Sequence, residues 1–502
     1  MKRSSGVLLH ISSLPGPFAA GALGRQAREF ADLLAEMGCS YWQVLPVGHH
    51  SGGGSPFASR SLFALNPGLI DPYALEGAGL LTSDEIGWLF ARQTPKADMP
   101  SAMEKKRLVL LRKAYTRVGA RESREIAAFA EKHAGWLDAY ALFITLKNYY
   151  GDAPWGEWPA IGLRLHKPDA VARAQKQYEN EIMFWKFVQY TAYGQWAAFR
   201  EYANSLGIGI IGVLPAYASL ESSDVWAGSR LFQLNAKHMP KSVGGAPPDA
   251  FCKNGRLWGC PLYDWDEMRP ELFEWWVSRI GNARALYDAV IINHFRGLHA
   301  YWAVPYANKT AKKGEWRKGP GAGLIDEIKA RFGDATIIAD DTGADDRPAR
   351  EFVESAGFPG IRVMQRGFGE SAEPGHMIDG YPAACAAYTG THDDNTVLGW
   401  YEGAPEQARA DSFAKLGLGP PDRGKPAAGA DICRAWIESL FGAKPDLAIV
   451  PIQDLLCEGA DARMNDPGAP SRRNWAYRVD ERKLKSSLDV KWVAELNKRY
   501  NR

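Results

Sequence analysis

Three stretches of the sequence end an apolar run in residues that can do acid–base or nucleophilic work. Asp288-Ala289-Val290-Ile291-Ile292 leads into Asn293-His294-Phe295-Arg296-Gly297; residues 336–341 end in Asp340-Asp341; residues 386–392 end in His392, followed by Asp393-Asp394. An apolar run that stops in a polar cluster is how a buried parallel strand looks where it meets an active-site loop. Acidic groups converging at strand ends suit glycoside chemistry. Retaining glycosyl transfer needs one carboxylate as nucleophile and one carboxylic acid to protonate the leaving oxygen, about 5–5.5 Å apart. Spacing alone fits equally well with carboxylates that cap helices and tie loops.

These side chains need a scaffold that brings strand ends together. Apolar runs of the same kind recur at residues 6–10, 41–46, 207–215, 288–293, 336–341, 360–365, 386–392 and 447–453. Helical patterns lie between most of them, at residues 25–37, 273–287, 323–332 and 347–356. Eight strands alternating with helices predict an α/β fold, a closed parallel (β/α)8 TIM barrel with large helical insertions. A doubly wound open sheet is the alternative, but no G-x-G-x-x-G turn follows an early strand. The whole chain, 1–502, reads as one barrel-type domain. Residues 50–205 after the second strand are a mainly helical insertion, with patterns at 104–118, 124–149 and 171–206. Residues 216–275, rich in Gly, Pro and Trp, are expected to cover the barrel mouth, and residues 394–446 form a second helical insertion after the seventh strand.

Composition narrows the partners. With 60 basic and 58 acidic residues, the chain has a formal net charge of +2, which gives no global pull toward nucleic acid or an anionic membrane. The 18 Trp and 20 Tyr supply aromatic faces that suit sugar rings, although most of them belong to the core. Six cysteines are scattered without C-x-x-C spacing, the pattern of free thiols in a reducing compartment and not of a disulfide frame or zinc site. The first ten residues lack the long apolar region of a signal peptide, and no apolar stretch reaches the roughly 18 residues of a spanning helix. A cytoplasmic protein is expected. The oligomeric state is not legible.

Local motifs carry a resemblance. Ser5-Gly6-Val7-Leu8-Leu9-His10-Ile11-Ser12-Ser13-Leu14-Pro15-Gly16-Pro17, Trp42-Gln43-Val44-Leu45-Pro46 and Gly54-Ser55-Pro56-Phe57 resemble the opening of the 4-α-glucanotransferases called amylomaltases or disproportionating enzymes, glycoside hydrolase family 77. Val225-Trp226-Ala227, Pro247-Pro248-Asp249, Gly255-Arg256-Leu257-Trp258-Gly259, His294-Phe295-Arg296-Gly297, Thr389-Gly390-Thr391-His392-Asp393 and Ala462-Arg463-Met464-Asn465 continue it. The resemblance implies transfer of α-1,4-glucan segments between maltooligosaccharides through a covalent donor, with no metal and no organic cofactor.

It also implies roles. The nucleophile falls on Asn293, the acid/base on Asp340 and the transition-state-stabilising aspartate on Asp393, of which only Asp393 is the family's residue. Substrate contacts fall on Ser55, Phe57, Asp249, Phe251, Trp258, His294, His392 and Asn465. A neutral amide cannot form the glycosyl ester, and its lost charge no longer stabilises the oxocarbenium-like transition state. Asp340 is one methylene shorter than the family's Glu, and a donor withdrawn by about 1.5 Å can lose on the order of 10²-fold. Ile291, Val213, Phe57 and Ala250 stand where the family has arginine, aspartate, tyrosine and tyrosine. Losing the arginine together with the nucleophile's charge is coherent, since either left alone and buried is costly. Asp341 faces away from Asp340 on a strand, and Asn66 reads as a turn residue. Two readings follow: a transferase of altered activity, or a catalytically silent homologue that binds glucan or a partner.

Overall fold

In the computed structural model, all eight apolar runs form strands, and each strand ends before its polar tail. The structure describes residues 2–18, 20–50, 54–88, 99–248, 252–271, 273–333, 335–343, 346–369, 372–416, 429–467 and 471–502. The strands are β1 (Ser4–Leu8), β2 (Tyr41–Gln43), β3 (Gly209–Leu214), β4 (Ala289–Ile292), β5 (Thr336–Ala339), β6 (Gly360–Val363), β7 (Cys385–Tyr388) and β8 (Leu447–Pro451). They pair in parallel in the order β6-β7-β8-β1-β2-β3-β4-β5, so neighbours in sequence are neighbours in space and the ends of the order meet. This is the (β/α)8 barrel.

The closing seam between β5 and β6 is short on ladder bonds. Ala339 N–H donates to the Pro359 carbonyl at 2.8 Å. One step further the Asp341 carboxylate takes the place of a backbone carbonyl, accepting from Ile361 N–H at 2.7 Å and from Arg362 at 2.8 Å. Asp341 thus stitches the barrel shut on the side opposite Asp340, as strand alternation requires.

Two apolar cores follow from the two faces of the strands. Leu8, Ile211, Val213, Ile291, Ile338 and Val363 belong to the cluster inside the barrel. The outward-facing residues join a larger cluster with the surrounding helices, among them α1 (Arg25–Glu36), which buries Ala27, Phe30, Ala31 and Leu34 at helical spacing. On β3, a Cβ at Gly212 would stand 2.3 Å from the Tyr287 ring, so only glycine lets the strand lie this close.

Between β2 and β3 the chain forms helices at Met99–Tyr115, Ala120–Lys132, Ala134–Tyr149, Pro168–Gln177 and Glu179–Ser205. The patterns at 124–149 and 171–206 are each broken once, at His133 and at Tyr178, where φ is −108° and −110°. Gly135 lies two residues past the first break, and no glycine or proline stands near the second, where periodicity reads straight through. A small antiparallel sheet of Arg256–Pro261, Ser242–Ala246, Ala300–Pro305 and Glu315–Lys318, in that order, flanks the end of β4. Among the described residues, no helix is long and apolar enough to cross a membrane.

Candidate active site

The chain leaves β4 through Asn293 and turns sharply at His294, whose φ of 50° is left-handed. Such a backbone is uncommon for a non-glycine residue and marks a position held by its surroundings. Here Asn293 N–H donates to Leu214 O at 3.1 Å, Asp340 N–H to Ile292 O at 3.0 Å, and Phe295 N–H to Asp340 O at 2.9 Å. Residues 293 and 340 therefore sit side by side as the continuation of the β4–β5 register, in which Ile292 faces Ala339.

Their side chains bond directly. Asn293 Nδ2 donates to Asp340 Oδ2 at 2.9 Å, and His294 N–H reaches the same oxygen at 3.3 Å. Thr342 donates twice to Oδ1, from Oγ1 at 2.6 Å and from N–H at 3.3 Å. Both oxygens of Asp340 are thus occupied as acceptors, and delivering a proton would mean giving up one of these bonds. The amide orientation is fixed by chemistry, because a carboxylate accepts but does not donate and the amide oxygen would face it unpaired.

Beneath this pair the interior is apolar. Val213 on β3 faces Ile291 on β4, and Ile291 faces Ile338 on β5. The positions expected to hold an aspartate and an arginine are therefore direct neighbours. With Val213 and Ile291 in register the pair leaves no buried charge there, whereas either a carboxylate or a guanidinium alone at these positions would be unpaired. The sequence reading couples Ile291 to Asn293; across the strands its register neighbours are Val213 and Ile338.

Around His294 lies a narrow pocket lined by Tyr217, Tyr263, Trp265, Trp276, Asn293 and Tyr301, among others. Burial lowers His294 to about 4 against the pull of Asp340, so its ring is neutral, and its Nε2 is buried without a partner. Trp258, 37% exposed, meets the ring edge-on at 4.8 Å. Tyr217, which sequence reasoning did not single out, stands 5.6 Å from Trp258 and 6.2 Å from His294.

A second group forms after β7 and β8. His392 stacks on Phe57 at 5.3 Å and 19°, with Trp475 within 6 Å of both rings. Ser55 Oγ accepts from Phe57 N–H at 3.2 Å and so fixes the loop that presents the ring. Asp393, with a side chain 40% exposed, stands 3.6 Å from His392 Nε2 and accepts from Asn465 Nδ2 at 2.7 Å. Arg463 donates to its backbone carbonyl at 2.6 Å. Asn465 is buried, with its Nδ2 committed to Asp393. Asp394 is anchored differently: burial opposes its charge, but Arg366 and Thr391 outweigh that and hold it below the usual carboxylate range. Arg366 stands 3.5 Å from Asp394 and lies in the field of Asp340 as well.

Asp249, Ala250 and Phe251 lie outside the described residues. Asn66 is a turn residue, accepting from Gly68 N–H at 2.8 Å. Among the described residues no three His, Cys, Asp or Glu side chains form a group that could hold a metal. Trp475, Arg463 and Thr342 complete the site without having been read from sequence. Trp475 sits at φ 66° in a loop, and nothing in its neighbours announces that. Thr342 had a signal, a hydroxyl two residues after a strand-end carboxylate, the spacing of a local side-chain turn.

Comparison with known proteins agrees with this architecture. The family model described as 4-alpha-glucanotransferase matches residues 9–484. A 4-alpha-glucanotransferase of Clostridium butyricum is 37% identical over 98% of this chain and 100% of its own length. One of Thermus thermophilus is 38% identical over 95% of each. Among solved structures, the amylomaltase of Streptococcus agalactiae in complex with acarbose superposes with a TM-score of 0.93 at 33% identity, over all of both chains. A barrel with these motifs, matched along its length at this identity, belongs to the 4-alpha-glucanotransferase family.

Proposed function

We propose that the protein acts on α-1,4-glucans in maltodextrin, starch or glycogen metabolism, as membership of a family described as 4-alpha-glucanotransferase supports, and does so in the cytoplasm. In this reading maltooligosaccharide lies across the barrel mouth between the two groups of side chains. Trp258, Phe57 and Trp475 offer ring faces, and His294 Nε2 offers a buried, unpartnered nitrogen to a sugar hydroxyl. Asp393 supplies negative charge beside the scissile bond, fixed by Asn465. Asn293 takes the nucleophile position and Asp340 the acid/base position. The observation that carries the reading is the Phe57–His392–Asp393 group at the mouth of a barrel that matches the family throughout.

A second reading, a catalytically silent glucan-binding member, is favoured by one observation, the amide of Asn293 bonded to Asp340 at 2.9 Å. An amide there cannot form the glycosyl ester, and it engages the group that should protonate the leaving oxygen. Incubation with maltotriose, following product lengths, separates the two. Glucose plus longer maltodextrins at rates near a relative's supports transfer. No products, with millimolar-or-better maltooligosaccharide affinity by calorimetry, supports the silent binder. Neither products nor binding overturns both.

A further inference from the structure

Cys433 lies on the helix Gly429–Gly442, and Cys457 on the turn that follows the short helix Ile452–Leu455 after β8. Their sulfurs are 3.1 Å apart, and both are free thiols, Cys433 buried and Cys457 partly exposed. A disulfide needs about 2.05 Å between sulfurs, so a shift of roughly 1 Å closes the pair. Neither side is a loose loop. Cys457 has a φ of 51°, and its turn is tied by Cys457 N–H to Asp454 O at 3.1 Å and Glu458 N–H to Gln453 O at 2.9 Å.

We propose that Cys433 and Cys457 are a peroxide-responsive dithiol that closes to a disulfide, stapling the turn after β8 to the helix of the insertion after β7. The hydrogen bond donated by Cys433 holds the Cys457 thiol below its ordinary value, outweighing burial and the nearby Asp454, Glu402 and Asp431 carboxylates, and pushes Cys433 up. That division assigns the roles: the exposed, more acidic thiol attacks first and the buried one resolves. Cys457 thiolate attacks one peroxide oxygen and the O–O bond breaks, giving a sulfenic acid and a hydroxide that takes a proton to become water. Cys433 then loses its proton and attacks the Cys457 sulfur; the S–S bond forms, the S–O bond breaks, and a second water leaves. Cys39 and Cys385 are buried, have no cysteine partner and are pushed up by burial to about 11 and 12, so they serve as unreactive controls.

The staple would reach the barrel mouth. Asp454, three residues before Cys457, accepts from Thr389 Oγ1 at 2.6 Å and Val397 N–H at 2.7 Å, which ties the end of β7 to the same turn.

The test treats the full chain with a small excess of hydrogen peroxide, blocks remaining thiols with iodoacetamide, and maps tryptic peptides. Trypsin cuts after Arg434, so the two cysteines fall in separate peptides. The expected product is that pair joined with loss of about 2 Da, free thiols in denaturant falling from six to four, restoration by dithiothreitol, and a Tm raised by a few °C in the oxidised form. Six surviving thiols, or Cys457 carried to sulfinate without a cross-link, would overturn the proposal. Cys433→Ser should leave a Cys457 sulfenic acid that dimedone traps; no dimedone adduct in the folded variant also overturns it. If that variant does not fold, the peptide map of the unaltered chain decides alone.

Discussion

Placing a carboxylate at position 293 probes the proposed site most directly. In Asn293→Asp, the Nδ2 that donates to Asp340 Oδ2 at 2.9 Å becomes an oxygen. Two unit charges at that distance repel by about 6 kcal/mol at an effective dielectric of 20. A repulsion of that size is relieved when the two carboxyls hold one proton between them, as carboxylate dyads do. The change therefore supplies both missing parts together, a nucleophile able to form the ester and a carboxyl with a proton to deliver. Recovering one group that stabilises charge in the transition state is worth on the order of 10²–10³-fold. Transfer from maltotriose, followed as the appearance of glucose and maltotetraose, should rise by that factor and fall at alkaline pH as the shared proton is lost. Adding Asp340→Glu, which restores the reach of the proton donor, should raise it further. Stability gives an independent check. A like-charge pair whose two sites cannot ionise together opposes loss of its last proton, so the variant should lose stability relative to the unaltered chain as pH rises above about 4. A folded variant that binds maltooligosaccharide normally yet shows an unchanged rate would refute the reasoning, because charge at 293 would then not limit turnover.

Other consequences are equally open to measurement. Ile291→Arg or Val213→Asp alone buries an unpaired charge beside the facing strand and should cost about 3–5 kcal/mol in urea unfolding; the double variant should recover more than about 1 kcal/mol of that, and strict additivity would show that the two positions do not pair. Asn293→Asp with Ile291→Arg should raise activity more than the product of the single effects if the two also form a unit in catalysis. Asn465→Ala removes the 2.7 Å bond to Asp393 and should weaken maltooligosaccharide binding by about 1 kcal/mol, near fivefold by calorimetry; an unchanged Kd would separate Asp393 from the bound sugar. Burial lowers His10, His49 and His376 to about 3 each, well under the ordinary 6.5. Their contribution to stability is complete above about pH 6.5 and is lost as pH falls toward 3, because the unfolded chain takes up protons that the folded one refuses. Replacing His49 by Gln should lower the pH slope of unfolding free energy in that window by about one proton, or about 1.4 kcal/mol per pH unit.

Much of the barrel was legible because its strands are buried on both faces. Such strands are continuous apolar runs, and eight of them stand out against amphipathic helices. Strand ends were less legible. Polar tails such as Thr389–His392 look like strand extensions, yet in the structure they turn across the mouth, where backbone groups find side-chain partners such as Asp394 for Thr391 N–H. The helix break at Tyr178 left no mark because the residues around it keep a helical pattern, and at His133 the only mark is Gly135 two residues on.

At the site, residue type alone decided what chemistry is unavailable. An amide at 293 forms no ester wherever it points, and an aspartate at 340 reaches less far than a glutamate. Geometry decided what these residues do instead. Register set Asn293 against Asp340 and Val213 against Ile291, contacts across 47 and 78 residues of sequence that no local pattern encodes. Asp340 and Asp341 are adjacent and chemically identical, yet one faces the mouth and the other seals the β5–β6 seam. Cys433 and Cys457 read as scattered thiols and meet at 3.1 Å. Sequence carries the properties of each group. Which groups share a few ångströms is settled by how eight strands close on one another.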